Sequence, residues 1–153
     1  MNIKIKRLTP SASTPTKAHE EDACFDIYAD ISIERKFYGE ASEVVIRPGS
    51  YANIHTGISS EIPKGYFAAI FDRSGMGIKR HLRLSNSVGI IDSNYRGEWM
   101  VCLHNDGTED QIIKHRDRIA QFAILPVLDI NIDDVEEISE SNRGENGFGS
   151  TGR

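Results

Sequence analysis

The stretch FDRSGMGIKR sets Arg73, Ser74 and Gly75 at the start of a short glycine-containing segment. There, backbone N–H groups and the positive end of a helix favour an anion such as phosphate. The plainer reading is that Ser74 only caps the helix and Arg73 is a surface charge. The stretch NSVGIIDSNYRGE reads as an apolar hairpin arm that ends in Asp92, turns, and continues through Tyr95 to Arg96-Gly97. Asn86 offers a donor and an acceptor, matching the edge of a pyrimidine, and Asp92 can hold and deprotonate a water. An ordinary hairpin with a turn aspartate would read the same way.

In DRIAQFAILP the Asp-Arg pair reads as structural and the apolar run as a buried strand, which leaves Gln121 as the candidate for ligand contact. Near the end of the chain, Arg143, Phe148, Ser150 and Thr151 supply a cation, a stacking ring and two hydroxyls, suited to gripping a base and a triphosphate. A solvated chain end is the alternative. A lone phenylalanine in a glycine-rich arm nevertheless has little purpose unless it docks.

Several patterns do not survive their context. GFGSTG matches a dinucleotide fingerprint, and the Gly144–Gly149 spacing approaches a phosphate-binding loop. No helix follows either of them, and the loop lysine is missing. The five histidines show no metal-ligand spacing. Cys24 and Cys102 form no CxxC pair and read as small buried apolar residues. No GxSxG or Cys/His signature supports acyl chemistry.

These groups must be positioned by strands. Short alternating or β-branched runs recur at Ile3/Ile5, 25–28, 44–46, 54–56, 66–70, 89–91, 99–103, 111–113 and 119–127, separated by turns such as Pro48-Gly49 and Asn105-Asp106-Gly107. An all-β sandwich, jelly roll or barrel follows, with one short helix near residues 75–80. At 153 residues the chain fits one domain. A boundary near residue 140 divides a domain of residues 1–140 from a glycine-rich arm of residues 141–153 that orders only against something else. The acidic stretch from Asp129 to Glu140 reads as a solvated strand and linker.

The balance of 18 basic and 23 acidic residues, net charge −5, argues against nucleic acid as a partner. No apolar run approaches the roughly 20 residues of a membrane helix, and MNIKIKRLTP lacks a signal-peptide core, so a soluble, cytoplasmic protein is expected.

Taken in order, DACFDIYA, DRSGMGIKR, NSVGIIDSNYRGE, DRIAQ and RGENGFGSTG resemble the motifs of the trimeric dUTPase family, from about Asp22 to Gly152. The resemblance implies a jelly-roll subunit in a homotrimer, each active site being built from motifs of three chains and closed by the arm. It also implies hydrolysis of dUTP to dUMP and pyrophosphate with Mg2+. Asn86 and the backbone at Gly89 and Ile91 would read uracil, Tyr95 would pack under deoxyribose, and Asp92 would activate the water attacking the α-phosphorus. Asp26 would hold a mostly hydrated Mg2+ through water. Arg73, Ser74, Gly75 and Gln121 would hold phosphates. Arg143, Gly149, Ser150 and Thr151 would clamp the γ-phosphate while Phe148 stacks on uracil. An ordinary aspartate is a weak base, so Asp92 must act chiefly by placing its water in line.

The chain departs from the family pattern at Cys24 and Asn146, each where glycine is common, and at Asp72, where proline is common. The alternatives are a dCTP deaminase-type or bifunctional enzyme of the same fold, or a dUTP-sensing regulatory protein.

Overall fold

The computed structural model describes residues 1–32 and 43–145. Most of the alternating or β-branched runs form strands. The strands are β1 (Lys4–Arg7), β2 (Phe25–Tyr28), β3 (Glu43–Ile46), β4 (Tyr51–His55), β5 (Ile58–Glu61) and β6 (Tyr66–Phe71). A short helix α1 (Ser74–Arg80) follows, then β7 (Leu82–Leu84), β8 (Gly89–Ile91), β9 (Met100–Asn105), β10 (Gln111–Lys114) and β11 (Arg118–Pro126). All pairings are antiparallel. Two sheets have two strands each, β1-β5 and β10-β3; one has four, β2-β11-β6-β8; and one has three, β4-β9-β7.

Two of these strands are not visible in the sequence pattern. In β5 the serines Ser59 and Ser60 are weak strand formers, yet both are buried. Pairing with β1 and a hydrogen bond from Trp99 Nε1 to Ser60 Oγ at 3.2 Å give that polarity a partner. Strand β7 has only three residues and takes its conformation from β9.

The core lies between the sheets around Trp99, which is fully buried and meets the Phe122 ring edge-on at 5.0 Å. The Phe25 ring stacks on the other side of Phe122 at 5.5 Å. Aromatic pairs of this kind add to the stabilisation from burial alone. The two cysteines are half-buried rather than buried; Cys102 Sγ donates to Ser85 Oγ at 3.2 Å. The stretch 129–140 is exposed as expected but pairs with no strand among the described residues.

The chain turns sharply between β4 and β5 at Gly57, whose φ of +65° is left-handed. A Cβ there would stand 2.5 Å from Asp30 Oδ2 and 2.8 Å from Ala12 Cβ, so neither the conformation nor the space admits a side chain. Asp30 is itself fully buried beside this corner. Its carboxylate accepts from Ser11 Oγ at 2.9 Å, from Ser32 Oγ at 2.6 Å and N at 3.1 Å, and from Thr9 Oγ1, with His115 Nδ1 at 3.6 Å. Burial pushes this carboxyl up, but the bonds from Ser32, Thr9 and Ser11 outweigh it and leave it below the usual carboxylate range.

Two expectations follow. Gly57→Ala should destabilise the fold by about 2–4 kcal/mol in urea titrations, because strain and overpacking add. Gly49→Ala, left-handed at φ +68° but facing open space, should cost only about 1 kcal/mol. Because the folded Asp30 carboxyl titrates below its unfolded value, its stabilisation is complete above that unfolded value and is lost as pH falls through the folded one. Asp30→Asn should therefore lower Tm at neutral pH and flatten the decline in stability as pH falls below the ordinary aspartate range.

Candidate active site

The four-stranded sheet brings two groups of candidate residues together, one on each flank of β6 and β11. In the register of this sheet, Gln121 on β11 lies opposite both Asp26 on β2 and Phe71 on β6. Cross-strand partners share a face, so Asp26 and Gln121 project together where β6 runs into the start of α1. A cavity of about 340 Å³ opens there, lined by Asp22, Cys24, Asp26, Arg73 and Gln121, among others.

Asp26 is only 8% exposed and is held by two guanidinium groups. Arg73 Nε donates to Oδ1 at 2.7 Å and Arg118 Nη1 to Oδ2 at 3.2 Å. The register of β11 against β2 shifts between Arg118 and Ala120, next to the residue that makes the second contact. A buried carboxylate is retained in such a place only with partners of this strength. In the sequence the Asp-Arg pair at 117–118 reads as structural. The structure separates its members: Asp117 accepts from Lys114 N at 2.9 Å, while Arg118 faces the cavity carboxylate. The signal for Arg118 was its place three residues before Gln121, too common a spacing to single it out. Cys24 lines the same cavity; burial pushes its thiol up, the Asp26 charge adds to this and Lys17 opposes it.

Arg73 is the N-cap of α1, with extended backbone and no side-chain cap bond. The expectation that Ser74 would cap the helix is therefore corrected: Ser74 is its first residue and is exposed. The guanidinium of Arg73 reaches away from the helix to Asp26 instead. Asp72 anchors this entry, since its Oδ1 accepts Leu84 N at 2.6 Å and its carbonyl accepts Gln121 Nε2 at 2.8 Å. Buried Met76 holds the helix to the core, and the αL residue His81 ends it. Ser74 and Gly75 thus follow directly on Arg73 at the helix start but are not among the residues lining the cavity.

On the other flank, β8 pairs with β6, Gly89 opposite Ile70 and Ile91 opposite Ala68. A tight turn precedes it, with Ser87 at φ +62° and Val88 N donating to Asn86 O at 2.6 Å. After β8 the chain turns again: Tyr95 N donates to Asp92 O at 3.1 Å, and Arg96 Nη1 donates to Ser93 O at 2.7 Å. The two turns enclose a cavity of about 300 Å³ whose walls include Asn86, Gly89, Ile91, Asp92, Tyr95 and Glu98. Asn86 and Asp92 are exposed at its rim and Gly89 is buried in its wall. An amide, a carboxylate and an aromatic ring therefore converge on a space of heterocycle size.

The two cavities share no lining residue. Arg143 is exposed, in a stretch following β11 that is exposed from residue 127 to the last described residue, 145. Phe148, Gly149, Ser150 and Thr151 lie outside the described residues. Among the described residues no group of three or more His, Cys, Asp or Glu is placed to hold a metal ion. Asp26, with both oxygens engaged by arginine, suits contact with a cation through that cation's water rather than direct ligation. No helix among the described residues is long and apolar enough to cross a membrane.

Fold and cavities together define an all-β protein of jelly-roll class with one basin suited to a small polar ring and another to an anion. The family model for dUTPase matches residues 11–152, and the chain belongs to the dUTPase family. A deoxyuridine 5'-triphosphate nucleotidohydrolase from Clostridioides difficile is 42% identical over 151 residues, covering 99% of this chain and 98% of that protein. One of the same name from Alkaliphilus metalliredigens is 44% identical over 151 residues, covering 99% and 97%. The structure of the Staphylococcus bacteriophage 80alpha dUTPase with dUPNHPP superposes with a TM-score of 0.80 at 30% identity, covering 99% of each chain.

Asp72 gives a test of how the cavity beside Asp26 and Arg73 is built. Asp72→Ala should destabilise the fold by about 1–3 kcal/mol in chemical denaturation, because it leaves Leu84 N–H without a partner. Asp72→Asn, which keeps the accepting oxygen, should cost under about 1 kcal/mol.

Proposed function

We propose that this chain hydrolyses dUTP to dUMP and pyrophosphate, with Asp92 aligning the water that attacks the α-phosphorus. The observation that carries the reading is the cavity where Asn86, Asp92 and Tyr95 meet between the turns flanking β8, in a chain of this family. Asn86 presents both a donor and an acceptor toward the space, and buried Gly89 and Ile91 bring backbone to its wall, as recognition of uracil needs. Tyr95 supplies a flat apolar surface against deoxyribose. Asp92, exposed at the rim, is free to hold a water beside the ligand's first phosphate. Water attack at phosphorus asks the protein mainly for alignment and charge neutralisation.

Arg73 and Gln121 supply the phosphate contacts, with the backbone of Ser74 and Gly75 at the helix start. Mg2+, carried on the triphosphate, supplies neutralisation of its charge. Asp26 fits an outer-shell contact to that hydrated cation, and Arg118 keeps the carboxylate in place. Arg143, Phe148, Gly149, Ser150 and Thr151 form an arm that closes over the nucleotide. Closure only over the complete substrate adds specificity, since base, sugar and triphosphate must together offset the arm's ordering entropy.

Within one chain the base-side and phosphate-side cavities stay apart, which suits sites shared between subunits of a homotrimer. The segment after β11 supports assembly. Val127, Leu128, Ile130, Ile132, Val135 and Ile138 are each 53–90% exposed and alternate in part with acidic or polar residues. Apolar side chains in such a row ask for a partner surface.

Pyrophosphate release from dUTP, dCTP, dTTP and UTP, with and without Mg2+, tests the reading. Mg2+-stimulated turnover selective for dUTP is expected, with Asp92→Asn lowering kcat by roughly 100-fold or more while the nucleotide still binds. Tight dUTP binding without turnover by the natural sequence would indicate a sensor, and ammonia release from dCTP a deaminase. Deleting residues 142–153 should reduce kcat/KM by at least roughly 100-fold and shift Tm by less than about 2 °C; wild-type turnover after the deletion would refute a role for the arm.

A further inference from the structure

Glu98 lines the base-side cavity beside Tyr95 yet has no part in the chemistry proposed for that cavity. Its side chain is only 19% exposed and is held at three points on the corner between β4 and β5. Oε1 accepts from Gly57 N at 2.8 Å and Thr56 N at 3.2 Å, while Oε2 lies 2.8 Å from His55 Nδ1. That corner is crowded on its other side by Asp30 and Ala12, which leaves it little room to move. One end of Glu98 is therefore fixed to the body of the molecule.

Its other end holds the tyrosine. Tyr95 Oη donates to Glu98 O at 3.1 Å. Between the two residues, Gly97 lies directly against the ring: a Cβ on it would come within 2.3 Å of Tyr95 Oη and 2.5 Å of Cζ. Tyr95 is well exposed, at 44%, so core packing does not set the position of its ring. A half-exposed ring has several rotamers open to it, and a bond to a fixed carbonyl selects one.

We infer that Glu98 is a positioning residue for sugar discrimination: its carboxylate fastens the loop of residues 95–98 to the β4–β5 corner, and its carbonyl holds the Tyr95 ring at the height that admits deoxyribose and rejects a 2′-hydroxyl. The inference rests on the reading above that Tyr95 packs under the sugar. Loss of the carboxylate leaves the N–H groups of Thr56 and Gly57 without their acceptor and releases the loop. The ring then moves away from the ligand, and the site loses its ability to tell the two sugars apart.

The test is kcat/KM for dUTP and for UTP in the natural protein and in Glu98→Ala, Glu98→Gln, Tyr95→Phe and Tyr95→Ala. Glu98→Ala should lower the dUTP/UTP ratio by roughly tenfold or more, since displacements of about 1 Å are costly in a positioned site. Glu98→Gln, whose amide oxygen still accepts from both N–H groups, should stay within about threefold of the natural ratio. Tyr95→Phe keeps the ring and loses the bond to Glu98 O, so it should lower the ratio as well. An unchanged ratio in either Glu98→Ala or Tyr95→Phe overturns the inference, as does an equal loss for both substrates, the mark of a merely structural role. If Glu98→Ala does not fold, Tyr95→Phe decides. An unchanged ratio in Tyr95→Ala overturns the sugar reading itself, whereas a collapse there with no effect in Tyr95→Phe removes only the role given to Glu98.

Discussion

Strand β11 pairs with β2 through its first half and with β6 through its second, and its register sets Gln121 opposite Asp26. Because side chains alternate from face to face, a slip of one residue would turn Gln121 away from Asp26 and carry Phe122 out of its stack between Phe25 and Trp99. The aromatic stack therefore defends the register, and the register defends the cavity beside Asp26 and Gln121. Strand β6 passes the constraint on, since its own pairing with β8 sets Gly89 and Ile91 in the wall of the second cavity. Core packing and site geometry are in this sense one requirement.

Polar groups do the remaining fastening. Asp30 gathers hydroxyls from Thr9, Ser11 and Ser32, Glu98 gathers backbone N–H groups from the β4–β5 corner, and Asp72 gathers Leu84 N–H and offers its carbonyl to Gln121. Asp72 ties the entry of α1 to β7, while Asp30 and Glu98 tie loops to one another, where hydrophobic packing offers no directional hold. Small all-β chains with many short strands rely on such ties because their loops outnumber their helices.

Much of this was legible in the sequence. The alternating, apolar or β-branched runs of β2, β6, β9 and β11 state their extended form, and the segments with unusual polar content, Asp26, Arg73, Asn86 with Asp92 and Tyr95, and Gln121, fall around the two cavities. Strands β5 and β7 were hidden, because a serine pair and a three-residue run carry no periodic signal and become strands only through their neighbours. Arg118 and Glu98 were hidden for a related reason. Their meaning lies in partners 92 and 41 to 43 positions away in the chain, a separation that no local spacing rule reaches. The half-exposure of Cys24 has the same origin, since the cavity beside it forms only when β2, β11 and the start of α1 meet.

The pair of guanidiniums on Asp26 has a consequence for traffic through the site. The Asp26 carboxylate already holds Arg73 at 2.7 Å, so on the proposed reading an arriving phosphate would compete with it for the same cation. A chain of three phosphates brings enough charge to win that contest, especially with other donors engaging it along its length. A monophosphate does not. On the proposed reading, once pyrophosphate has left, Arg73 would return to its resident carboxylate and the nucleotide left behind would have lost that electrostatic hold. The same internal rival that would disfavour weakly charged ligands would thus also ease the exit of the product.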